Sequence, residues 1–503
     1  MTSPSLRRGP RPRRGRLALA TGVALLAGAL TMPAAHAAPA EAATAPSGKR
    51  LHDDFNGDGF PDLAIGAPDS TVGTQAKAGA ISVLYGASSG LSTSRKQVLT
   101  WPDRSGAEAK ARYGSSLQSA DLDRDGYADL LSHVDLSAVS PHEGRVLMVN
   151  WGGPSGLSAT PTLLKNLPAD YDGTFAAGDF DGDGNPDLAV SGDGDRGTVG
   201  GGTVLHGPFT RDGAGARAAR FDFVPDEPYY FGYAFAAGDV TGDRIADLAV
   251  HIHFMDGDSG TGAIALLVGG PSGFTFKGVL KDAQNRIIQG DDLEIGDLNK
   301  DGYGEIVAGH STDGTDYDLD LPVKGGAVIV TYGGPDGVST TRKPVYINQD
   351  TPGVPGVGEW RDGMGSALSI ADTDGDGYQD VVTGLPGEDF DGLTDAGSVL
   401  VLRGSANGLT GTGAKSFSQN TAGVPGTAEK GDRFGAETAL LDADQDKRHS
   451  LVAAAPAENA NNGSVWHFSA TSTGITASGS TTFGGATLGA PSTGARFGAW
   501  LAE

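Results

Sequence analysis

The chain has 503 residues, a net charge of −25 and no cysteine. The missing thiols exclude disulfides, thiol catalysis, a lipidated cysteine anchor and zinc–thiolate sites, and the acid excess argues against nucleic acid or an anionic membrane surface as a partner. Glycine supplies 80 residues, which suits either a low-complexity chain or a protein of many tight turns, and periodicity decides between them.

Residues 1–37 read as a secretory signal peptide. Arg7, Arg8, Arg11, Arg13, Arg14 and Arg16 form a basic start without an acid, the apolar run Leu17–Met32 follows, and Ala35-His36-Ala37 is a small-residue cleavage site. The run is shorter than the roughly 20 residues that span a bilayer. Arg13-Arg14 leaves Sec and twin-arginine export both open. Removal takes away six arginines and no acid, so the net charge moves from −25 to −31. Residues 38–50 are expected to be a disordered N-terminal linker. Residues 51–503 are expected to be one folded domain, secreted and extracellular, with no membrane span.

An Asp-rich segment then recurs along the chain. Asp54-Phe-Asn56-Gly-Asp58-Gly59-Phe60-Pro-Asp62-Leu63 returns as full copies starting at Asp121, Asp179 and Asp372. The copy at Asp297 ends in Glu305. The copy at Asp239 has Arg244 in place of the glycine, and the copy at Asp442 lacks both the glycine and the final acid. Loop starts are separated by 67, 58, 60, 58, 75 and 70 residues, the size of a propeller blade.

Each loop precedes a short apolar segment such as Leu63–Pro68 or Leu188–Val190, and a second strand-like run follows, as in Gly79–Gly86, Gly326–Gly333 and Gly397–Gly404. With glycine turns between them and no long 3.6-residue period, these runs predict an all-β fold. A Phe-Gly-like pair stands eight residues before most loops: Tyr113-Gly114, Phe231-Gly232, Met364-Gly365 and Phe434-Gly435. The first loop has no such pair, and Phe497-Gly498 has no loop after it. The repeat is therefore cut between its ends. The spacing predicts a seven-bladed β-propeller with calcium-binding loops, its ring closed by the C-terminal strand, which leaves no long exposed sheet edge.

Oxygen-bearing side chains at positions 1, 3, 5 and 9 of a loop converge stably only around a cation, because the carboxylates otherwise repel. Hard oxygen donors in that number select Ca2+ over zinc or copper. Glycine at position 6 permits the turn, and the position 7 backbone carbonyl is a natural further ligand. The expected ligands are Asp54, Asn56, Asp58, Phe60 and Asp62; Asp121, Asp123, Asp125, Tyr127 and Asp129; Asp179, Asp181, Asp183, Asn185 and Asp187. They continue with Asp239, Thr241, Asp243, Ile245 and Asp247; Asp297, Asn299, Asp301, Tyr303 and Glu305; and Asp372, Asp374, Asp376, Tyr378 and Asp380. The Asp442 copy is left without an ion. An EF-hand is set aside because position 12 is Ile65, Ser132 or Val190 rather than Glu, and the flanks are strand-like.

The Phe-Gly pairs, the D-x-[DN]-x-D-G-x-x-D loops and Gly66-Ala67-Pro68 together resemble the FG-GAP repeat of integrin α-subunit propellers, over roughly residues 51–503. The resemblance implies a seven-bladed propeller with calcium loops that serves adhesion or ligand binding. The chain has plausible loops in five or six blades and lacks the α-subunit's legs and membrane span, so heterodimerisation is not carried over.

The catalytic candidates are few. Gly86-Ala-Ser88-Ser-Gly90 matches a nucleophile pattern but falls on the repeated turn, without a strand–helix context. His251 and His253 share one side of a strand with no third ligand nearby. Two acidic insertions, Asp313, Asp316, Asp318 and Asp320 and then Glu388, Asp389, Asp391 and Asp395, read as solvated loops or as a second cation or ligand site. The connections Asn348–Asp362 and Asn420–Asp432 share Gly-Val-Pro-Gly and are expected to project. The function expected is a monomeric, non-enzymatic binding or adhesion module for an extracellular protein or glycan ligand, with structural calcium. Trp101, Trp151 and Trp360 make a lectin-like variant credible. The alternative is a secreted hydrolase or lyase acting on polysaccharide or phospholipid with the propeller as scaffold, since FG-GAP propellers also accompany phospholipase-type enzymes.

Overall fold

The apolar runs after the Asp-rich loops become strands buried on both faces. Leu63–Ala67, Asp187–Ser191 and Asp380–Leu385 are buried at every residue. A strand covered from both sides reads as a continuous apolar run rather than an alternation, and here sheets stack face to face around a ring. The computed structural model describes residues 52–101, 110–136, 144–192, 200–225, 230–254, 262–313 and 324–502. The expected signal peptide and linker lie outside them, as do Asp316, Asp318 and Asp320.

Among the described residues there are seven four-stranded antiparallel sheets and two short hairpins. Blade 1 orders Trp500–Ala502, Leu63–Ala67, Ala80–Leu84 and Lys96–Thr100. Blade 2 contains Ser115–Ala120, Asp129–Asp135, Arg145–Asn150 and Thr162–Leu163, and blade 3 contains Phe175–Gly178, Asp187–Ser191, Gly201–His206 and Arg217–Asp222. Blade 4 contains Tyr230–Gly238, Asp247–Phe254, Gly262–Val268 and Thr275–Val279. Blade 5 contains Asp292–Gly296, Glu305–His310, Ala327–Thr331 and Val345–Ile347. Blade 6 contains Leu368–Ala371, Asp380–Leu385, Ser398–Arg403 and Thr410–Phe417. Blade 7 contains Glu437–Leu441, Ser450–Ala455, Ser464–Phe468 and Thr481–Phe483.

The first strands of successive blades touch one another in cyclic order, blade 7 touching blade 1, so they surround the centre of a closed ring. Closure falls where the split repeat puts it. The strand Trp500–Ala502 pairs with blade 1 in the register Ala64↔Ala502, Ile65↔Leu501 and Gly66↔Trp500. The protein is an all-β, seven-bladed propeller.

A separate apolar core fills each interface between neighbouring blades, including the closing one, where Leu63 and Ile65 meet Val452, Val465, Phe497 and Leu501. The aromatic or Met residues Tyr113, Met364, Phe434 and Phe497 of the Phe-Gly pairs enter these cores, all inaccessible to solvent. The paired glycine has a different task. Gly435 takes a φ of 83°, and its carbonyl oxygen lies 1.8 Å from where a Cβ would stand on Gly384 of the preceding blade. Backbone therefore touches backbone across the interface, which only glycine at 384 allows, while a Cβ on Gly435 itself would stand 2.3 Å from the Ser398 carbonyl oxygen.

Candidate metal centres

Each Asp-rich loop leads into the second strand of its blade. Because the sheets are antiparallel, these loops share one face of the ring with the connections between third and fourth strands. Within a loop the backbone wraps around the first aspartate. Asp54 Oδ1 accepts from Gly57 N at 2.7 Å and Asp58 N at 3.1 Å, and its Oδ2 accepts from Gly59 N at 2.8 Å. Asn56 Oδ1 accepts from Asp58 N at 2.8 Å. The position 7 amide always turns back to position 5: Asn185 N donates to Asp183 at 2.8 Å, Ile245 N to Asp243 at 2.9 Å and Tyr378 N to Asp376 at 2.9 Å. These are the local side-chain-to-backbone bonds for which Asp and Asn are favoured in turns.

Position 6 requires a left-handed backbone. Gly59, Gly126, Gly184, Gly302 and Gly377 have φ of 91°, 94°, 83°, 87° and 87°, and Arg244 and Lys447 adopt 71° each. A non-glycine residue held there costs about 1–2 kcal/mol, yet both imperfect copies keep the loop's shape.

Position 9 does something the sequence reading missed. Its carboxylate brackets the loop to the end of the third strand. Asp62 accepts from Phe55 N and Gly86 N, both at 2.9 Å; Asp129 accepts from Leu122 N at 2.9 Å and Gly152 N at 2.8 Å. Asp187, Asp247 and Asp380 repeat the pattern with Gly207, Gly269 and Gly404. Glu305, one methylene longer, takes Leu298 N at 2.8 Å and the Asn299 amide at 2.7 Å. Each carboxylate oxygen keeps a lone pair for a metal, so bracket and ligand are compatible roles. The glycines Gly86, Gly152, Gly207, Gly269 and Gly404 after the third strands were visible in the sequence, but their pairing with position 9 needed the fold.

In four loops three carboxylates bring ligand atoms within 4.8 Å of one another: Asp121, Asp123 and Asp129; Asp179, Asp181 and Asp183; Asp372, Asp374 and Asp380; and Asp442, Asp444 and Asp446. The last belongs to the copy denied an ion above. Positions 1, 3 and 5 suffice to bring its carboxylates together, with Asp442 still wrapped by Asp446 N and Lys447 N at 2.9 Å each. In the fourth loop, Thr241 Oγ1 is buried without a hydrogen-bond partner.

Burial raises Asp62, Asp129, Asp247, Glu305 and Asp380 against the pull of their amide donors. Asp62 and Glu305 are pushed up to about 8, and Asp247 and Asp380 up to about 6. A cation among these groups restores the ionised form. Clustered hard oxygens and an orphaned buried hydroxyl fit a divalent oxygen-seeking ion, with the loop acids as its holders.

The chain also supplies cations of its own. Arg211 reaches Asp123, at 2.7 Å, and Asp125 from blade 3. Arg217 donates to Asp181 at 2.8 Å. Arg403, at the end of blade 6's third strand, bonds to Asp374 and lies 3.1 Å from Asp380. His206 occupies the matching place in blade 3, with Nδ1 3.2 Å from both Asp181 and Asp187. The three arginines hold loop carboxylates together electrostatically.

Of the other candidates, Ser88 is exposed on a turn closed by Gly90 N to Ala87 O at 2.7 Å. His253 packs edge-on against the Tyr233 ring, with centroids 5.7 Å apart. Trp101 and Trp151 are buried in the interblade cores, and only Trp360 of the three tryptophans singled out is exposed, at 57%. Asp313 is buried and accepts from Gly325 N and Arg361 N.

The model of the FG-GAP repeat matches residues 52–84 and 364–402, a loop with its following strands in blade 1 and the corresponding stretch of blade 6. The chain carries FG-GAP repeats. Integrin alpha-PS5 of Drosophila melanogaster is 31% identical to this FG-GAP propeller over 150 residues, covering 27% of this chain and 14% of that protein. Human integrin alpha-6 is 34% identical over 120 residues, covering 24% and 9%. Mouse phosphatidylinositol-glycan-specific phospholipase D is 30% identical over 147 residues, covering 27% and 17%. The chain thus spans less than a fifth of these relatives. Among solved structures, an exotype rhamnogalacturonan lyase, YesX, aligns with 83% of this chain and 86% of its own at 14% identity and a TM-score of 0.30.

Proposed function

We propose that this FG-GAP propeller is a secreted, calcium-stapled binding or adhesion module for an extracellular protein or glycan, working as a monomer. The observation that carries the calcium part is the convergence of carboxylates in the loops together with buried acids raised by desolvation. A disulfide-free domain gains rigidity when an ion ties each loop to its blade. The ion supplies charge neutralisation among the loop acids; Asp54, Asp121, Asp179, Asp239, Asp297 and Asp372 set each loop's curvature, and the position 9 acids anchor it to the sheet.

A groove of about 420 Å³ between blades 3 and 4 supports the binding part. It is walled by Phe180, Phe221, Phe274 and Phe276, with Arg217 and His206 beside the third Asp-rich loop. Phe221 and Phe274 meet edge to face with centroids 4.9 Å apart. A cleft that sets aromatic walls beside charged groups suits a small ligand or a partner's side chain, and its contact with the third loop couples occupancy to calcium. Melting the secreted protein with and without a chelator tests the calcium reading: a large fall in melting temperature is expected, and no change sinks it. Protein and glycan arrays probed in calcium should give hits lost in Phe274→Ala. Hits that this variant retains would remove the groove from the reading, and hydrolysis of a hit would replace the binding module by the enzyme alternative.

A further inference from the structure

The connections leading from blade 5 into blade 6 and from blade 6 into blade 7 are near copies. Gln349 begins one and Gln419 the other, each five residues before Val-Pro-Gly; Glu359 and Asp362 then match Glu429 and Asp432. Both run on the face opposite the Asp-rich loops. There each meets the connection between the second and third strands of the blade it enters, which carries Glu388 in blade 6 and Glu458 in blade 7.

Asp362 and Asp432 are 1% and 3% exposed. At the same place, two residues before the Phe-Gly pair, the connections into blades 2 and 1 carry Ala111 and Ala495, both fully buried. The repeat therefore packs with a methyl group, and the two carboxylates are additions that the framework does not require. A carboxylate in an alanine-sized place is costly unless something compensates its charge. What surrounds these is more acid. Asp362 Oδ2 accepts from Glu359 N at 2.6 Å, and Asp432 Oδ2 from Glu429 N at 2.7 Å. The Asp432 and Glu458 carboxyl groups meet directly. Glu388, Glu359 and Asp389 add their negative charge around Asp362.

A second observation points to a ligand. Gln349 and Gln419 are 4% and 2% exposed, and their Nε2 atoms donate to Glu388 at 2.7 Å and Glu458 at 2.8 Å. The Oε1 atom of each carboxamide is buried with no hydrogen-bond partner. One orphaned amide oxygen is an accident of packing; the same atom orphaned at two equivalent positions, each on a carboxamide already bonded to the facing glutamate, is a repeated donor set. Hard oxygens of mixed carboxylate and amide type suit calcium.

We propose that blades 6 and 7 each hold a divalent cation, calcium by donor chemistry, on the face opposite the Asp-rich loops, bound by Asp362, Glu388 and the Gln349 amide oxygen and by Asp432, Glu458 and the Gln419 amide oxygen. Each ion clamps the connection entering a blade to the connection across that blade. The sites differ from the Asp-rich loops in being assembled from two separate segments.

Equilibrium dialysis of the full secreted chain against calcium tests this. Asp362→Ala/Asp432→Ala installs the residue that blades 1 and 2 already carry, and it should bind two fewer ions per chain than the wild type. Glu388→Gln/Glu458→Gln should lose the same two ions with almost no change in volume, and it decides the matter if the alanine variant misfolds. Because the readout is a difference, it does not depend on how many ions the Asp-rich loops take. Folded variants that bind as many ions as the wild type overturn the proposal.

Discussion

A methyl group on Gly384 has nowhere to go: the Gly435 carbonyl oxygen would stand 1.8 Å from it, and the neighbour is backbone, which yields only if the blades separate. Gly384→Ala should therefore destabilise the protein by more than about 3 kcal/mol, at or beyond the upper end of overpacking effects, read as a fall in melting temperature at saturating calcium. An effect near zero would mean that the blades slide past each other freely. The Phe-Gly pairs were legible in the sequence as a spaced motif, but the contact of Gly435 with Gly384 was not. The contact joins residues of two blades, and nothing local in either segment records it. The same holds for Asp62 and its equivalents. Their acidity marked them as ligands, whereas their bonds to Gly86 and its counterparts, some 24 residues later, make them brackets as well.

The Asp-rich loop is an element whose backbone survives imperfect sequence. Arg244 and Lys447 adopt the glycine conformation, and Asp442, Asp444 and Asp446 converge without a ninth acid. The seventh copy keeps its curve without the glycine and the ninth acid, because the wrapping bonds of position 1 are enough to set it. By contrast the blade count and the closing strand followed directly from repeat spacing and the split motif. That strand is short, but its loss leaves Leu63–Ala67 with an unpaired edge and removes Leu501 from the closing core. Leu501→Asp should cost at least about 2 kcal/mol, the transfer of one leucine side chain. It should also promote self-association through the freed edge, measured by light scattering alongside the melt. A monomer of unchanged stability would show that the ring holds without its latch.

At the scale of the whole ring, the first strands bring acids from distant repeats together. Glu294 and Glu437 lie on the first strands of blades 5 and 7, and Asp292 acts on both. They remain partly accessible to solvent while protein surrounds them, the environment of a narrow central passage. Burial, followed by Asp292, pushes Glu294 up to about 8, and Glu437 is raised too. The unfolded chain ionises these groups from the ordinary carboxylate range upward, whereas the folded ring keeps the Glu294 proton until about pH 8. The unfolded state thus binds fewer protons between those limits, and stability falls as pH rises through them. Glu294→Gln should match the wild type near pH 5 and melt at a higher temperature near pH 8, both in saturating calcium. Identical curves at pH 8 would remove the buried charge from the account. Such ring-scale proximity was invisible to a reading that took each repeat alone. The closing register also has a consequence in time. Gly66 is synthesised more than 400 residues before its partner Trp500, so blade 1 waits open-edged through the making of every other blade. Folding to the native ring is thereby postponed until Trp500–Ala502 has been made, and a nascent chain in that interval depends on whatever shields the Leu63–Ala67 edge.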